Sequence, residues 1–473
     1  MATKKQFIKD YSNHLKAGKA SLFIGSGISR KSGYARWKDI LRECAEEIEL
    51  DVEKEVQDLI TLAEFYVNDK NRTKINQTIA DYFKDSNGCI TDLHKILCSF
   101  PVKSIWTTNY DTLIERTLDF LDTNYSVLTD DKSYTSIVRN AKVIVHKIHG
   151  DVKAPSECII TRSDYESYEK KHDIVLSELK GEMCANSFLF LGYSFSDTDI
   201  QHILSRIRLI YQENKPQRHY CIMEKVKRSD CNDDEDYEYK KKREKHYVKD
   251  MNSYGIEVVL LDSYDEIEEI LSKIAFRVNI ENVFISGAYE DNSNNAQNRI
   301  SPTARLLAEN LIKKGYKIYT GYGKNLGADI VTGAFTGCAS TGIKVKDFND
   351  NVFLFPFPYN LPCDVDRAEL YTTLRKNVIS RASISIFICG EKVHNGNIVN
   401  SPGCIEEYRI SKEQGNLIIP LSTTGGAAMA IWDEEEKGGF IDEKLIKLKT
   451  EVNPKKIVEI VINLIEKYIE SIG

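Results

Sequence analysis

Leu22-Phe23-Ile24-Gly25-Ser26-Gly27-Ile28-Ser29 is the stretch on which the reading of the fold turns. The run from Ser21 to Ile24 has the length and apolar character of a short buried strand. It breaks at Gly25-Ser26-Gly27. A polar segment then leads to Trp37-Lys38-Asp39-Ile40-Leu41, which reads as helix. Glycines at such a strand exit let backbone N–H groups approach a phosphate, because no Cβ stands in the way. A tight turn would look the same. The dinucleotide fingerprint needs a third glycine at fixed spacing, and Gly33 does not sit there. Two readings stay open at this point, and the rest of the chain bears on them.

Outward from this stretch the chain alternates strands with helices, which predicts parallel sheets with crossover helices, an α/β fold. Before it, residues 6–17 form a helix with Phe7, Tyr11 and Leu15 on one face, ended by Gly18. After it, residues 37–70 read as helical, and 73–84 and 91–98 as further helices. Strands are expected at 102–108, 142–148, 187–191, 218–223 and 256–262, with a helix from Ile200 and another over 264–276. The acidic run Asp233–Asp236 followed by the basic run Lys240–Arg243 reads as a solvated helix and loop, not a nucleic-acid patch. Near residue 280 the pattern restarts with Val283-Phe284-Ile285-Ser286-Gly287, again strand then glycine. Strands at 316–320, 351–356, 383–390 and 417–421 follow, with helices over 302–314, 366–380, 403–414 and 453–470. Two α/β domains are expected, at 1–278 and 279–473; they share an architecture but are not sequence repeats.

Composition narrows the function classes. A chain of 473 residues is too long for one ordinary domain. A net charge of −7 and a pI near 5.9 argue against a general nucleic-acid binder. No window offers about 18 consecutive apolar residues, so no spanning helix is expected, and the N-terminus lacks a signal-peptide layout. The eleven cysteines are scattered, with no C-x-x-C. That pattern suits buried thiols in a reduced cytoplasm, and no metal is expected.

Ligands of doubly wound sheets sit outside the carboxyl ends of the strands. In the first half, four such exits carry small or polar residues: Gly25-Ser26-Gly27-Ile28, Asn109-Tyr110-Asp111, His149-Gly150 and Gly192-Tyr193-Ser194. The order and spacing of these four resemble the sirtuin family over roughly residues 1–275. The resemblance implies a Rossmann-like domain whose Gly-rich exit (Gly25, Ser26, Gly27, Ile28) binds NAD+. It implies that Asn109 contacts the nicotinamide ribose, that Asp111 orients the nicotinamide end, and that His149 is the base. Gly192 and Ser194 fit the adenosine side. Protein-deacylating sirtuins carry a four-cysteine zinc module after the His. Here only Cys158 and Cys184 fall in that interval, so deacylation is disfavoured and water is the remaining acceptor. The chemistry fits: nicotinamide leaves as a neutral ring, the transition state resembles an oxocarbenium ion, and a free imidazole with a pKa of about 6.5 can take a proton at neutral pH. NAD+ is then the substrate and not a cofactor.

In the second half, Ser286-Gly287 is another exit suited to phosphate. Arg375 lies on a helix, Lys392 follows a strand, and Ser401-Pro402-Gly403-Cys404-Ile405-Glu406-Glu407 opens a helix. The last resembles a degenerate turn of the SLOG family, Rossmann-like domains that bind nucleotide-derived ligands. The resemblance implies that Glu407 accepts ribose hydroxyls, and that Arg375 and Lys392 meet phosphates.

The pairing of the two halves resembles the effector family of the bacterial Thoeris anti-phage system across essentially the whole chain. That resemblance implies a cytoplasmic bacterial NAD+ glycohydrolase assembled as a homotetramer. It implies activation by a cyclic ADP-ribose isomer that a TIR-domain partner makes, and depletion of cellular NAD+. The alternative is an NAD/ADP-ribose-binding sensor module without catalysis.

Overall fold

The structure, a computed structural model, describes every residue except 1–2, 35–36, 56–57, 194–217, 294–295, 359–361, 363–365, 440–444 and 473. The chain divides into two compact units, Met1–Ala275 and Phe276–Gly473.

The first unit is built on seven parallel strands: β1 (Ala20–Ile24), β2 (Ser104–Thr107), β3 (Tyr125–Leu128), β4 (Val143–Lys147), β5 (Ser187–Leu191), β6 (His219–Glu224) and β7 (Ile256–Leu261). Their order is β3-β4-β2-β1-β5-β6-β7. β1 is central and buried along its whole length, as a continuous apolar strand covered on both faces should be. Chain direction across the sheet reverses between β1 and β5, the switch point at which a crevice opens beyond the carboxyl ends.

The second unit repeats the device. β8 (Asn282–Ala288), β9 (Lys317–Thr320), β10 (Val352–Leu354) and β11 (Ile384–Cys389) are followed by a hairpin of β12 (Glu391–His394) and β13 (Asn397–Asn400), then β14 (Leu417–Leu421). Five of these form a parallel sheet in the order β10-β9-β8-β11-β14, with its switch point between β8 and β11. Both units are therefore parallel-sheet α/β structures.

Helices Arg162–Lys171, Asp173–Ala185 and Gly426–Lys437 have no counterpart in the sequence reading, and four further features depart from it. The helix expected over 37–70 is two helices, Trp37–Glu47 and Leu59–Asp69. Glu49 takes a left-handed φ of 57°, and the Leu50 N–H reaches back to the Ala45 carbonyl at 2.9 Å, a helix-ending motif that usually carries glycine. The edge strand β3 has no counterpart in the sequence reading, because four half-buried residues give too short an alternation. Helix Leu326–Thr341 was masked by its glycines. Gly333 and Gly337 are there because a Cβ would come within 2.1 Å of the Arg305 carbonyl and 2.8 Å of the Glu309 carbonyl on the neighbouring helix. Finally, the charge run forms one continuous helix, Asp234–Ser253, capped by the Asp233 carboxylate. Ser194 and the helix expected from Ile200 lie outside the described residues.

Candidate functional site

Gly25, Gly27 and Gly192 meet at the switch point of the first unit. A Cβ on Gly25 would stand 2.4 Å from the Gly192 carbonyl oxygen, and one on Gly27 would stand 2.8 Å from the Gly192 Cα. Gly192 itself has a φ of +64°. The Gly25 N–H donates to the Leu191 carbonyl (2.8 Å) and the Gly27 N–H to the Gly192 carbonyl (2.9 Å). This revises the physical reason for the glycines: these two amides face the neighbouring strand exit, so the residue type serves backbone approach rather than presenting those N–H groups to phosphate. Ile28 is buried beneath, while Ser26 and Gly27 remain exposed at the rim. Gly25→Ala is expected to destabilise the unit by about 3 kcal/mol, because only backbone atoms could give way. A denaturation midpoint equal to that of the unsubstituted chain would show that the approach is not required.

The β2 exit is tied to β1 by Thr107, whose hydroxyl donates to the Ile24 carbonyl (2.7 Å) and accepts from the Asn109 N–H (3.0 Å). The Asn109 side-chain amide donates to Ser29 Oγ (3.0 Å), and Ser29 Oγ donates to Asp111 Oδ2 (2.8 Å). Asp111 Oδ1 accepts the Leu113 N–H at 3.0 Å, capping the following helix. Asn109, Ser29 and Asp111 are all buried. The Asn109 Oδ1 accepts no hydrogen bond among the described residues. A buried amide oxygen in that state is costly unless a ligand donor meets it.

His149 lies two residues past the end of β4. Gly150, at a φ of +97°, returns its N–H to the Lys147 carbonyl at 3.0 Å, and the Ile159 N–H bonds the His149 carbonyl at 2.9 Å. Tyr165 and Tyr168 stand edge-on to the imidazole, with ring centres 5.5 Å and 6.2 Å away. These contacts fix the ring plane.

Beneath both exits lies Lys147, a fully buried lysine at the end of β4. Its ammonium, with three hydrogens to share, lies within hydrogen-bond distance of the carbonyls of Tyr110 (3.1 Å) and Asp111 (2.7 Å) and the carboxylates of Glu115 (2.9 Å) and Asp151 (2.7 Å). Burial pulls its pKa down, but the two carboxylates overcome this and hold it above the ordinary lysine range. Burial likewise pushes the Glu115 carboxyl up. Ser29, Thr107, Lys147 and Glu115 were not singled out from the sequence. The available signal was Lys147, since a lysine in an otherwise apolar strand must find charge partners.

In the second unit, Ser286 Oγ donates to Glu407 Oε2 at 2.6 Å. Burial raises the Glu407 carboxyl above its usual range, against the pull of the Ser286 hydroxyl and Arg375. Arg375 Nη1 bonds Glu406 at 2.8 Å, its Nε lies 3.5 Å from Glu407, and its guanidinium covers the Phe357 ring at 5.0 Å. Gly287 permits the crossing at the switch point, where a Cβ would lie 2.0 Å from the Ile388 carbonyl. Tyr322 and Cys389, at the exits of β9 and β11, hold left-handed φ values of 56° and 55°. Strained backbone of this kind collects at ligand sites. Ser286, Arg375 and Glu407 are thus one constellation. Lys392 is not part of its described contacts: it follows β11, as the sequence indicated, and sits exposed on the β12 strand of the hairpin. The Asn395-Gly396 turn of that hairpin, with φ of 50° and 78°, was the legible signal.

Comparison with known proteins matches this arrangement. Residues 103–253 match a model described as a SIR2-like domain, and residues 266–468 match the Sir2- and TIR-associating SLOG family. An NAD(+) hydrolase ThsA from Bacillus cereus (strain MSX-D12) is 34% identical over 479 residues, covering 99% of this chain and 98% of that protein. The chain belongs to the ThsA family. A ThsA from Enterococcus faecium is 35% identical over 490 residues, covering 99% of this chain and all of that one. One from Acinetobacter baumannii (strain 532279) is 34% identical over 88% of this chain and 86% of its own length. The ThsA match spans both units, so it includes the β1 exit, which lies ahead of the SIR2-like match.

Proposed function

We propose that the first unit hydrolyses NAD+ to ADP-ribose and nicotinamide, and that a cyclic ADP-ribose isomer bound to the second unit switches this activity on. The observation that carries the catalytic half is the buried Asn109 amide: its nitrogen is held by Ser29 and its oxygen has no hydrogen-bond partner among the described residues. A ribose hydroxyl or the attacking water supplies the donor. The C1′–N bond breaks, nicotinamide leaves with the bonding pair as a neutral ring, and water adds to C1′. His149 accepts the proton released by water, directly or through a ribose hydroxyl, and passes it to solvent. The relatives' names, NAD(+) hydrolase, support the same reading.

Gly25, Ser26, Gly27 and Ile28 form the wall toward the NAD+ phosphates, with Gly192 and Ser194 on the adenosine side. In the second unit Arg375 meets phosphate and Glu407 a ribose hydroxyl, with Ser286 and Gly287 beside them near the end of β8. Lys392 reaches the ligand from the hairpin. The family description, Sir2- and TIR-associating, supports a TIR-domain partner as the source of the signal. Further elements of the proposal are a homotetramer, a cytoplasmic site of action, no metal requirement and NAD+ depletion as anti-phage defence. Among the described residues no helix is long and apolar enough to cross a membrane.

The test is nicotinamide release from NAD+ by the full chain, with and without a cyclic ADP-ribose isomer. Release that rises with the isomer supports the proposal; no release in either arm leaves a binding module without catalysis. Arg375→Ala is expected to raise the isomer concentration needed by about 10- to 100-fold through loss of charged hydrogen bonds. An unchanged activation curve would remove Arg375 from the sensor site.

A further inference from the structure

We propose that Lys147 is a positioning residue for NAD+ hydrolysis, clamping the strand exits that carry Asn109 and His149 at one spacing. The inference rests on the reading of Asn109 and His149 as the reacting pair. In the sheet, Thr107 stands opposite Lys147, and the Ile148 N–H donates to the Thr107 carbonyl at 3.0 Å. Asn109 and His149 each lie two residues beyond that register, where the regular ladder has ended. The Val152 N–H still reaches the Tyr110 carbonyl at 3.0 Å. Lys147 supplies the side-chain tie.

Its four acceptors lie on both sides of the gap. The Tyr110 and Asp111 carbonyls are the first and second after Asn109, and Asp151 is two residues past His149. Glu115 joins from helix Leu113–Phe120. One ammonium therefore ties together two exits that the Val152–Tyr110 backbone bond also joins. Asp151 is itself held by its own turn, where its Oδ1 accepts the Lys153 N–H at 2.8 Å.

Stability alone is a poor reason for this cluster. A buried ion pair roughly breaks even against apolar side chains of similar size. Here two carboxylates share one cation, and Glu115 Oε2 has no hydrogen-bond partner among the described residues. An apolar strand end would fill the same space without those costs. What it could not do is hold two loops in register through directional bonds. A displacement of about 1 Å between reacting groups can cost about 100-fold in rate.

The test uses the full chain under the activating condition in which the unsubstituted protein turns over NAD+, with kcat and KM measured separately. Lys147→Met is expected to lower kcat by about 100-fold while KM moves by less than roughly threefold. Glu115→Gln keeps the Lys147 bond to Asp151 and is expected to lower kcat by about 10-fold with the same split. If Lys147→Met does not fold, Glu115→Gln decides. Leu118→Ala, a fully buried position on the same helix, destabilises without touching the clamp and should leave kcat unchanged. The inference is overturned if the folded variants keep kcat, if the loss falls on KM alone, or if Leu118→Ala loses kcat equally. Turnover that survives His149→Ala would instead sink the underlying site assignment.

Discussion

His149→Ala is expected to lower NAD+ turnover by about 10²- to 10⁴-fold, the range for removal of a positioned acid–base group, with the chain still folded. The imidazole is buried and stands edge-on to Tyr165 and Tyr168. Tyr168 is held independently of it, its hydroxyl donating to the Ile148 carbonyl at 2.7 Å. The loss should therefore appear in kcat and not in the melting profile. His149→Gln separates the two roles a histidine could have here. It preserves size and hydrogen bonding but cannot take a proton, so it should be nearly as slow as alanine. A glutamine variant close to full turnover would mean that His149 only orients the substrate. Asn109→Ala removes the amide oxygen and the Ser29 contact together, and is expected to lose activity on a similar scale. Asn109→Asp places a second carboxylate beside Asp111, two like charges around one serine hydroxyl, and should not restore it.

The second large effect is on stability, and it is pH-dependent. Two buried histidines in the first unit are held neutral. His146 is fully buried, stacked on Trp106 at 3.7 Å, and neither ring nitrogen has a hydrogen-bond partner among the described residues. Burial lowers its pKa to about 3. His219 accepts the Phe188 N–H on Nδ1 at 3.1 Å, which requires that nitrogen unprotonated, and burial lowers its pKa to about 4. In the unfolded chain both titrate near 6.5. The folded pKa values lie below the unfolded ones, so the unfolded state takes up protons first as pH falls. Stability is intact above about pH 6.5 and declines below it, toward the folded values. At pH 5 each histidine costs about 2 kcal/mol, or about 4 kcal/mol together relative to pH 7. Urea midpoints of the first unit at pH 7 and pH 5 measure this. His146→Phe keeps the stack on Trp106 and removes one titrating group. It should shrink the difference by about 2 kcal/mol, and it should also stabilise the unit at pH 7 by relieving two unpartnered buried nitrogens. A pH dependence unchanged in His146→Phe would rule out this origin.

Much of the architecture was legible because it repeats one local rule. Apolar runs bounded by glycine or polar exits marked the buried strands, and 3.6-residue stripes marked most helices between them. What escaped did so for identifiable reasons. β3 is an edge strand too short for its alternation to register. Helix Leu326–Thr341 contains glycines that a helix normally avoids, and their benefit, close approach to Arg305 and Glu309, is visible only when the neighbouring helix is in place. The Trp37–Glu47 helix ends on a left-handed glutamate where glycine would have announced the stop. The β12–β13 hairpin was legible in Asn395-Gly396, and reading it would have placed Lys392 on a strand.

The residues of the candidate site divide in the same way. By itself the sequence determined that strand exits carrying Gly25, Asn109 and His149 exist in this order, because glycine, asparagine and histidine announce themselves after apolar strands; Ser286-Gly287, expected at an exit, lies inside β8, paired with β11. Only the tertiary structure decided which exits are neighbours. Strand order places β1 between β2 and β5, so Gly25 meets Gly192 while Ser29 joins Asn109 to Asp111. It also decided what holds the exits apart, since Lys147 finds carboxylates 32 residues upstream and four downstream. A local pattern records what each residue prefers to do with its immediate backbone. The partners of a buried charge, and the atoms a missing Cβ makes room for, are set by chain crossovers that no local pattern contains.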